Sequence, residues 1–114
     1  AVSGPFHTPF MEECANTLRE MLGTLEIHAS KIPLYANWTA QPYPANRTDI
    51  IEHIAQQCQN SVRWENTMLH MDADIYIEVG AGKTLSGLCK KTLPDVKIFN
   101  VADTATLSTT KEAL

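Results

Sequence analysis

No apolar run in this chain is long enough to cross a bilayer, and no basic, then hydrophobic, then small-residue leader opens it. We therefore expect no membrane partner. An excess of positive charge is also missing. Nine Lys and Arg stand against thirteen Asp and Glu, a net charge of −4, the reverse of a nucleic-acid-binding footprint. Cysteine is scarce: Cys14, Cys58 and Cys89 are odd in number, widely spaced and form no C-x-x-C. That pattern fits buried thiols in a reducing, cytoplasmic setting better than a disulfide framework or a metal site. His28, His53 and His70 have no histidine at i+4 and no cysteine at ligand spacing, and read as surface or helix-face residues. The triplets Asn37-Trp38-Thr39 and Asn46-Arg47-Thr48 match the glycosylation pattern, but nothing else suggests secretion, so both read as accidental. A nucleophile motif is missing as well, and so is an initiator methionine. A targeting peptide upstream of Ala1 would be invisible.

What is present, in 114 residues, suffices for one domain with a modest core. Thr8 suits an N-cap and Pro9 the first helical position. Met11, Cys14, Ala15, Leu18, Met21 and Leu22 then form one stripe of a helix over about 9–22. Residues 33–37 read as a short strand, followed by a turn-rich stretch around Pro42 and Pro44. Thr48 can cap a second helix with Ile50, Ile51, Ile54, Ala55 and Cys58 on one face, and a third helix is expected over 62–71. Residues 75–79 read as the clearest strand, 83–93 as a helix and 96–99 as a last strand. The final dozen Thr- and Ala-rich residues are expected to be poorly ordered. Alternating strands and helices predict α/β architecture with parallel pairing. Three strands are too few to be covered on both faces, so the pattern resembles part of a larger sheet.

Gly80-Ala81-Gly82-Lys83-Thr84 after a strand invites comparison with a phosphate loop. Ile77 occupies the position of the first Walker glycine, and Leu85 that of the third dinucleotide glycine. A tight strand-to-helix turn is the better reading. Trp64 is expected in the core, whereas Trp38 could line a cleft. Lys90-Lys91 near a helix end suits the dipole as a solvated pair.

His7 differs because local features converge on it. Gly4-Pro5-Phe6 precedes it and Thr8-Pro9 opens the helix behind it, placing the ring near the partial positive charge of a helix N-terminus. A neutral imidazole on such a turn is what a general base needs at pH 7. Its nucleophile would lie on another segment.

The block Val2-Ser3-Gly4-Pro5-Phe6-His7-Thr8-Pro9-Phe10-Met11 resembles the active-site histidine segment of the malonyl-CoA:acyl carrier protein transacylases. The resemblance continues through Pro33–Ala40 and Gln57–Trp64, where Ser61 replaces a usual proline, and ends with Tyr76–Leu88, where Ala81 replaces another. It covers nearly the whole chain and implies that residues 1–114 are the C-terminal segment of the acyltransferase catalytic domain, within its hydrolase-like α/β subdomain and incomplete on its own. The nucleophilic serine in Gly-x-Ser-x-Gly, the oxyanion hole and the malonyl-binding arginine would belong to the missing N-terminal part.

The resemblance implies that His7 acts as general base and acid while malonyl passes from malonyl-CoA to the serine and then to the phosphopantetheine thiol of an acyl carrier protein. The main-chain carbonyl of Gln57 would orient the imidazole. Phe6 would favour malonyl over α-branched groups, and Lys90 and Lys91 would meet the acidic carrier protein. Malonyl-CoA enters as substrate and no permanently bound cofactor is implied. Competing readings are a self-contained, non-enzymatic α/β interaction module and a phosphate-binding protein using the Gly80–Lys83 turn.

Overall fold

The computed structural model describes residues 4–114. Ala1, Val2 and Ser3, the first two residues of the histidine block among them, lie outside the described residues. The chain divides into two compact units, Ala1–Thr67 and Met68–Leu114.

In the first unit a single 3-10 turn, Pro9–Met11, leads into α1 (Glu12–Gly23). The continuous helix expected from Pro9 is thus interrupted. Thr8 is extended and offers no side-chain cap. Its Oγ1 instead donates to the Pro5 carbonyl at 2.7 Å. Helix α2 (Arg47–Gln56) is capped by Asn46, whose side-chain oxygen accepts from the Asp49 amide at 2.9 Å. The expected cap, Thr48, lies inside the helix, because Asn46 already offers a favoured capping side chain two residues earlier.

The two helices run antiparallel and are tied at two levels. The Arg47 guanidinium donates to the carbonyls of Gly23 at 2.6 Å and Leu25 at 2.9 Å, placing a cation at the negative end of α1. Arg19 grips Glu52 with Nε at 2.6 Å and Nη2 at 3.0 Å. Between them the core is built from small residues: Ala15, Ala36, Ala40 and Ala55 expose nothing, and Ile50 and Ile51 almost nothing. Of the expected α1 stripe, Ala15 is buried and Met11, Leu18 and Leu22 are half-buried, while Cys14 stays exposed and Met21 is 62% exposed.

Residues 33–37 are not a strand of a sheet. Tyr35 makes one isolated antiparallel bridge to Pro42, flanked by bonds from Ala36 N to Gln41 O and from Tyr43 N to Leu34 O. Pro33, Pro42 and Pro44 lack the N–H groups that a longer ladder would need. The Trp38 indole N–H donates to the His53 carbonyl at 3.1 Å and its ring tilts against the His53 ring. Trp64 opens α3 (Trp64–Met71) and is half-buried rather than core.

In the second unit β1 (Ile75–Val79) pairs in parallel with β2 (Lys97–Val101), in register from Ile75 opposite Lys97 to Val79 opposite Val101. Helix α4 (Thr84–Thr92) makes the crossover. The expected α/β class and parallel pairing hold, with two strands in the described sheet rather than three. Tyr76 is buried and its hydroxyl donates to the Met68 carbonyl at 3.1 Å. On the opposite face Ile75, Ile77 and Val79 are 37%, 43% and 80% exposed.

The C-terminal dozen residues are a second correction. Thr104–Ala113 form α5, opened by a reciprocal capping box in which Asp103 accepts from the Thr106 amide at 2.8 Å and Thr106 Oγ1 accepts from the Asp103 amide at 3.0 Å. Paired end groups compensate for a weakly amphipathic composition. The cysteines depart from expectation too. Only Cys89 is buried, Cys58 is half-buried and Cys14 is exposed.

Candidate functional site

His7 stands on a left-handed residue, φ 62°, a conformation uncommon outside glycine and one to which histidine is better suited than most side chains. Such a residue persists only when its surroundings over-determine it. Here they do. The His7 amide donates to the Cys58 carbonyl at 2.9 Å, and ring Nδ1 lies 2.9 Å from the Gln57 carbonyl oxygen. Both acceptors sit at and just past the C-cap of α2, where carbonyls have no helical partner and the dipole favours donors. The expected setting, a helix N-terminus, is therefore replaced. The 3-10 turn stands between His7 and α1, and what faces the imidazole is the carbonyl end of α2.

A carbonyl oxygen can only accept, so Nδ1 carries the proton and Nε2 is the ring's acceptor. That tautomer on an exposed ring is equipped to take a proton at Nε2 and return it. Gln57 in turn is held through its side chain, whose Nε2 donates to Tyr43 Oη at 2.7 Å. Burial raises the Tyr43 phenol above its ordinary range. Tyr43 was not singled out in the sequence, where a tyrosine between two prolines carries no signal of what it touches.

Phe6 is 54% exposed beside His7. Its ring lies so close over Gly4 that a Cβ there would come within 3.2 Å of Cε2. Lys90 and Lys91 lie in the other unit, exposed in the last turn of α4, and make no ion pair with a described residue. The Gly80–Lys83 turn is as tight as expected, with φ 139° at Gly80 and 91° at Gly82.

The amides at the head of α4 are already occupied by an anion of the chain itself. The Glu78 carboxylate accepts from Leu85 N at 3.1 Å, Ser86 N at 2.9 Å and Ser86 Oγ at 2.5 Å. The Ser86 hydroxyl, then its amide, hold the Glu78 carboxyl below its ordinary range. A phosphate would have to displace that carboxylate, which removes the physical basis of the phosphate-loop reading. Of the two glycosylation triplets, Asn37 has its Oδ1 buried, and the exposed Asn46 donates its side-chain amide to the Asp49 carboxylate. Among the described residues no group of three His, Cys, Asp or Glu could hold a metal, and no helix is long and apolar enough to cross a membrane.

No family model matches the sequence. Individual proteins do. The chain is 36% identical over 104 residues to the malonyl CoA-acyl carrier protein transacylase of Synechocystis sp., covering 88% of this chain and 35% of that protein. Against the protein of the same name from Bacillus subtilis it is 35% identical over 109 residues, 93% of this chain and 34% of the relative. Among solved structures, the malonyl-CoA:acyl carrier protein transacylase of Xanthomonas oryzae superposes with a TM-score of 0.92 at 30% identity, over 99% of this chain and 37% of its own. A type II PKS acyl-carrier protein in complex with its malonyl-transacylase gives 0.91 at 28% identity, over 100% and 38%. The relatives are acyltransferases. This chain is a homologue of the malonyl CoA-acyl carrier protein transacylases and spans about a third of their length.

Proposed function

We propose that residues 1–114 are the C-terminal segment of a malonyl-CoA:acyl carrier protein transacylase and supply its catalytic histidine, the nucleophile-bearing part lying outside this sequence. The observation that carries the reading is His7 with its Nδ1 on the Gln57 main-chain carbonyl at 2.9 Å, in a chain homologous to these transacylases. His7 Nε2 takes the proton of a serine supplied by the other part of the enzyme as that serine attacks the malonyl thioester. The same nitrogen then protonates the departing CoA thiolate. In the second half-reaction it deprotonates the phosphopantetheine thiol of the carrier protein, which attacks the malonyl ester and releases the serine.

A neutral carbonyl fixes the tautomer without adding a full negative charge beside the ring. The Phe6 ring beside the base narrows the space for an α-methyl group. A methylene-sized misfit is worth about 1–3 kcal/mol, so this selectivity is partial. Lys90 and Lys91, exposed and without an ion pair to a described residue, offer an acidic carrier protein a docking charge that acts mainly on association rate. The chain alone has no transacylase activity in this reading.

The test is malonyl transfer from CoA to carrier protein, measured with the chain alone, with the complete enzyme, and with the complete enzyme carrying His7→Ala. Expected are no turnover from the chain alone and a loss of about 10²–10⁴-fold in the variant. Turnover by the isolated chain, or near-normal kcat in a folded His7→Ala enzyme, would overturn the assignment.

A further inference from the structure

His7 Nδ1 meets the Gln57 carbonyl at a point where α2 has already ended. Gln57 is the C-cap, and its amide reaches back to Ile54 at 3.3 Å, three residues rather than four. The Cys58 amide takes the same shortened step to Ala55 at 3.2 Å. The end of a helix frays readily, so a carbonyl there keeps its direction only if something outside the helix holds the residue. The Gln57 side chain supplies such a hold, its Nε2 donating to Tyr43 Oη at 2.7 Å. Tyr43 is itself anchored twice. Its amide donates to the Leu34 carbonyl at 2.8 Å, in a segment stiffened by Pro42 and Pro44 on either side. Its ring lies against the His53 ring, with centroids 6.0 Å apart. His53 precedes Gln57 by four residues, so the tyrosine ring meets one turn of α2 and its hydroxyl the next, on one face.

We propose that Tyr43 is a positioning residue for His7: by accepting from the Gln57 side chain, its hydroxyl fixes the residue whose carbonyl orients the imidazole. The inference rests on the transacylase reading of His7. The contact on the ring is main-chain and outlasts the loss of either side chain. What Tyr43 adds is the constancy of its direction. Without that hold the Gln57 carbonyl rocks, the imidazole rocks with it, and Nε2 spends less time aimed at the serine hydroxyl. No proton of the reaction passes through the phenol. The effect therefore falls on proton transfer, and so on kcat rather than on KM for malonyl-CoA.

The experiment measures malonyl transfer by the complete enzyme as wild type, with Tyr43→Phe, with Gln57→Ala, with both, and with Tyr43→Phe added to His7→Ala. Phenylalanine keeps the ring on His53 and removes only the oxygen. Tyr43→Phe should lower kcat by about 2–8-fold, within the span that one neutral hydrogen bond supplies, with KM for malonyl-CoA unchanged. Gln57→Ala breaks the same contact from its other end and should lower kcat by a similar factor. The double variant should fall no further than the lower of the two singles. In the His7→Ala enzyme, Tyr43→Phe should leave the residual rate unmoved, a result that a merely structural role would not give. A wild-type kcat in Tyr43→Phe, losses that multiply in the double variant, or an undiminished Tyr43→Phe loss in the His7→Ala enzyme would overturn the positioning role. Failure of the transacylase reading shows instead as near-normal kcat in His7→Ala, so the two failures are read from different variants.

Discussion

Gln57 faces His7 with its main chain and Tyr43 with its side chain: the carbonyl lies 2.9 Å from His7 Nδ1 and the amide nitrogen 2.7 Å from Tyr43 Oη. The contact with the imidazole thus does not depend on the identity of the side chain at this position. In the complete enzyme, Gln57→Ala should cost less than about tenfold in kcat, against about 10²–10⁴-fold for His7→Ala. Equal losses in the two variants would mean that the glutamine side chain, not its carbonyl, does the orienting.

The Arg19–Glu52 pair makes stability pH-dependent. Its hydrogen bond to Arg19, then that to Gln56, holds the Glu52 carboxyl at about 2 instead of 4.5. A depressed folded-state pKa gives stability that is present above the unfolded value and lost as pH falls from about 4.5 to about 2. The side chains are 33% and 44% exposed, so solvent screening limits the contribution to about 0.5–1 kcal/mol. Urea unfolding of wild type and Glu52→Gln should differ at pH 7, draw together as pH falls below about 4.5 and converge only below about 2. A difference that persists at low pH would locate the effect in packing instead.

Glu78 as the internal cap of α4 predicts that inorganic phosphate leaves the Leu85 and Ser86 amide resonances of the wild-type chain unmoved. Glu78→Gln removes the charge from those amides and should lower the denaturant midpoint. Phosphate-dependent shifts at these amides in the wild type would restore the phosphate-loop reading.

The close approach of the Phe6 ring to Gly4 predicts that Gly4→Ala acts at a distance of one side chain. A methyl group 3.2 Å from Cε2 requires the ring to give by a few tenths of an ångström. In the complete enzyme both Gly4→Ala and Phe6→Ser should raise kcat/KM for methylmalonyl-CoA relative to malonyl-CoA, with Phe6→Ser the larger effect and bounded at about 10–200-fold. An unchanged ratio in both would mean that the ring does not face the acyl group.

Ile75, Ile77 and Val79 present an apolar strip on a sheet whose outer edges pair with no described strand. The chain alone should therefore bind a hydrophobic dye and self-associate, and Ile77→Lys should reduce both. Dye binding unaffected by that substitution would place the sticky surface elsewhere.

How much of this was legible follows from which signals are local. Alternation over 75–79 followed by Gly-Ala-Gly announced β1 and the turn into α4, because strand period and left-handed glycines are written in neighbouring residues. The strand expected over 33–37 failed because β-propensity says nothing about whether a partner has free donors, and the prolines remove them. α5 was missed because its stability rests on Asp103 and Thr106 rather than on an apolar stripe, and Thr stands where a capping box usually shows Glu or Gln. Candidate site residues were legible as a motif around His7. The acceptors on His7 stand some fifty residues along the chain from it, and no local pattern encodes them.

The amide of His7 reaches across most of the first unit to the Cys58 carbonyl. That hydrogen bond breaks only when the end of α2 separates from the segment ahead of α1, so the exchange of this one proton with deuterium is a clock on the joint. A substitution that loosens α2 without touching His7, Arg47→Ala for example, changes the exchange rate of that proton before it changes any global melting curve. The histidine thus reports, through its own backbone, on whether the scaffold that orients its ring is assembled.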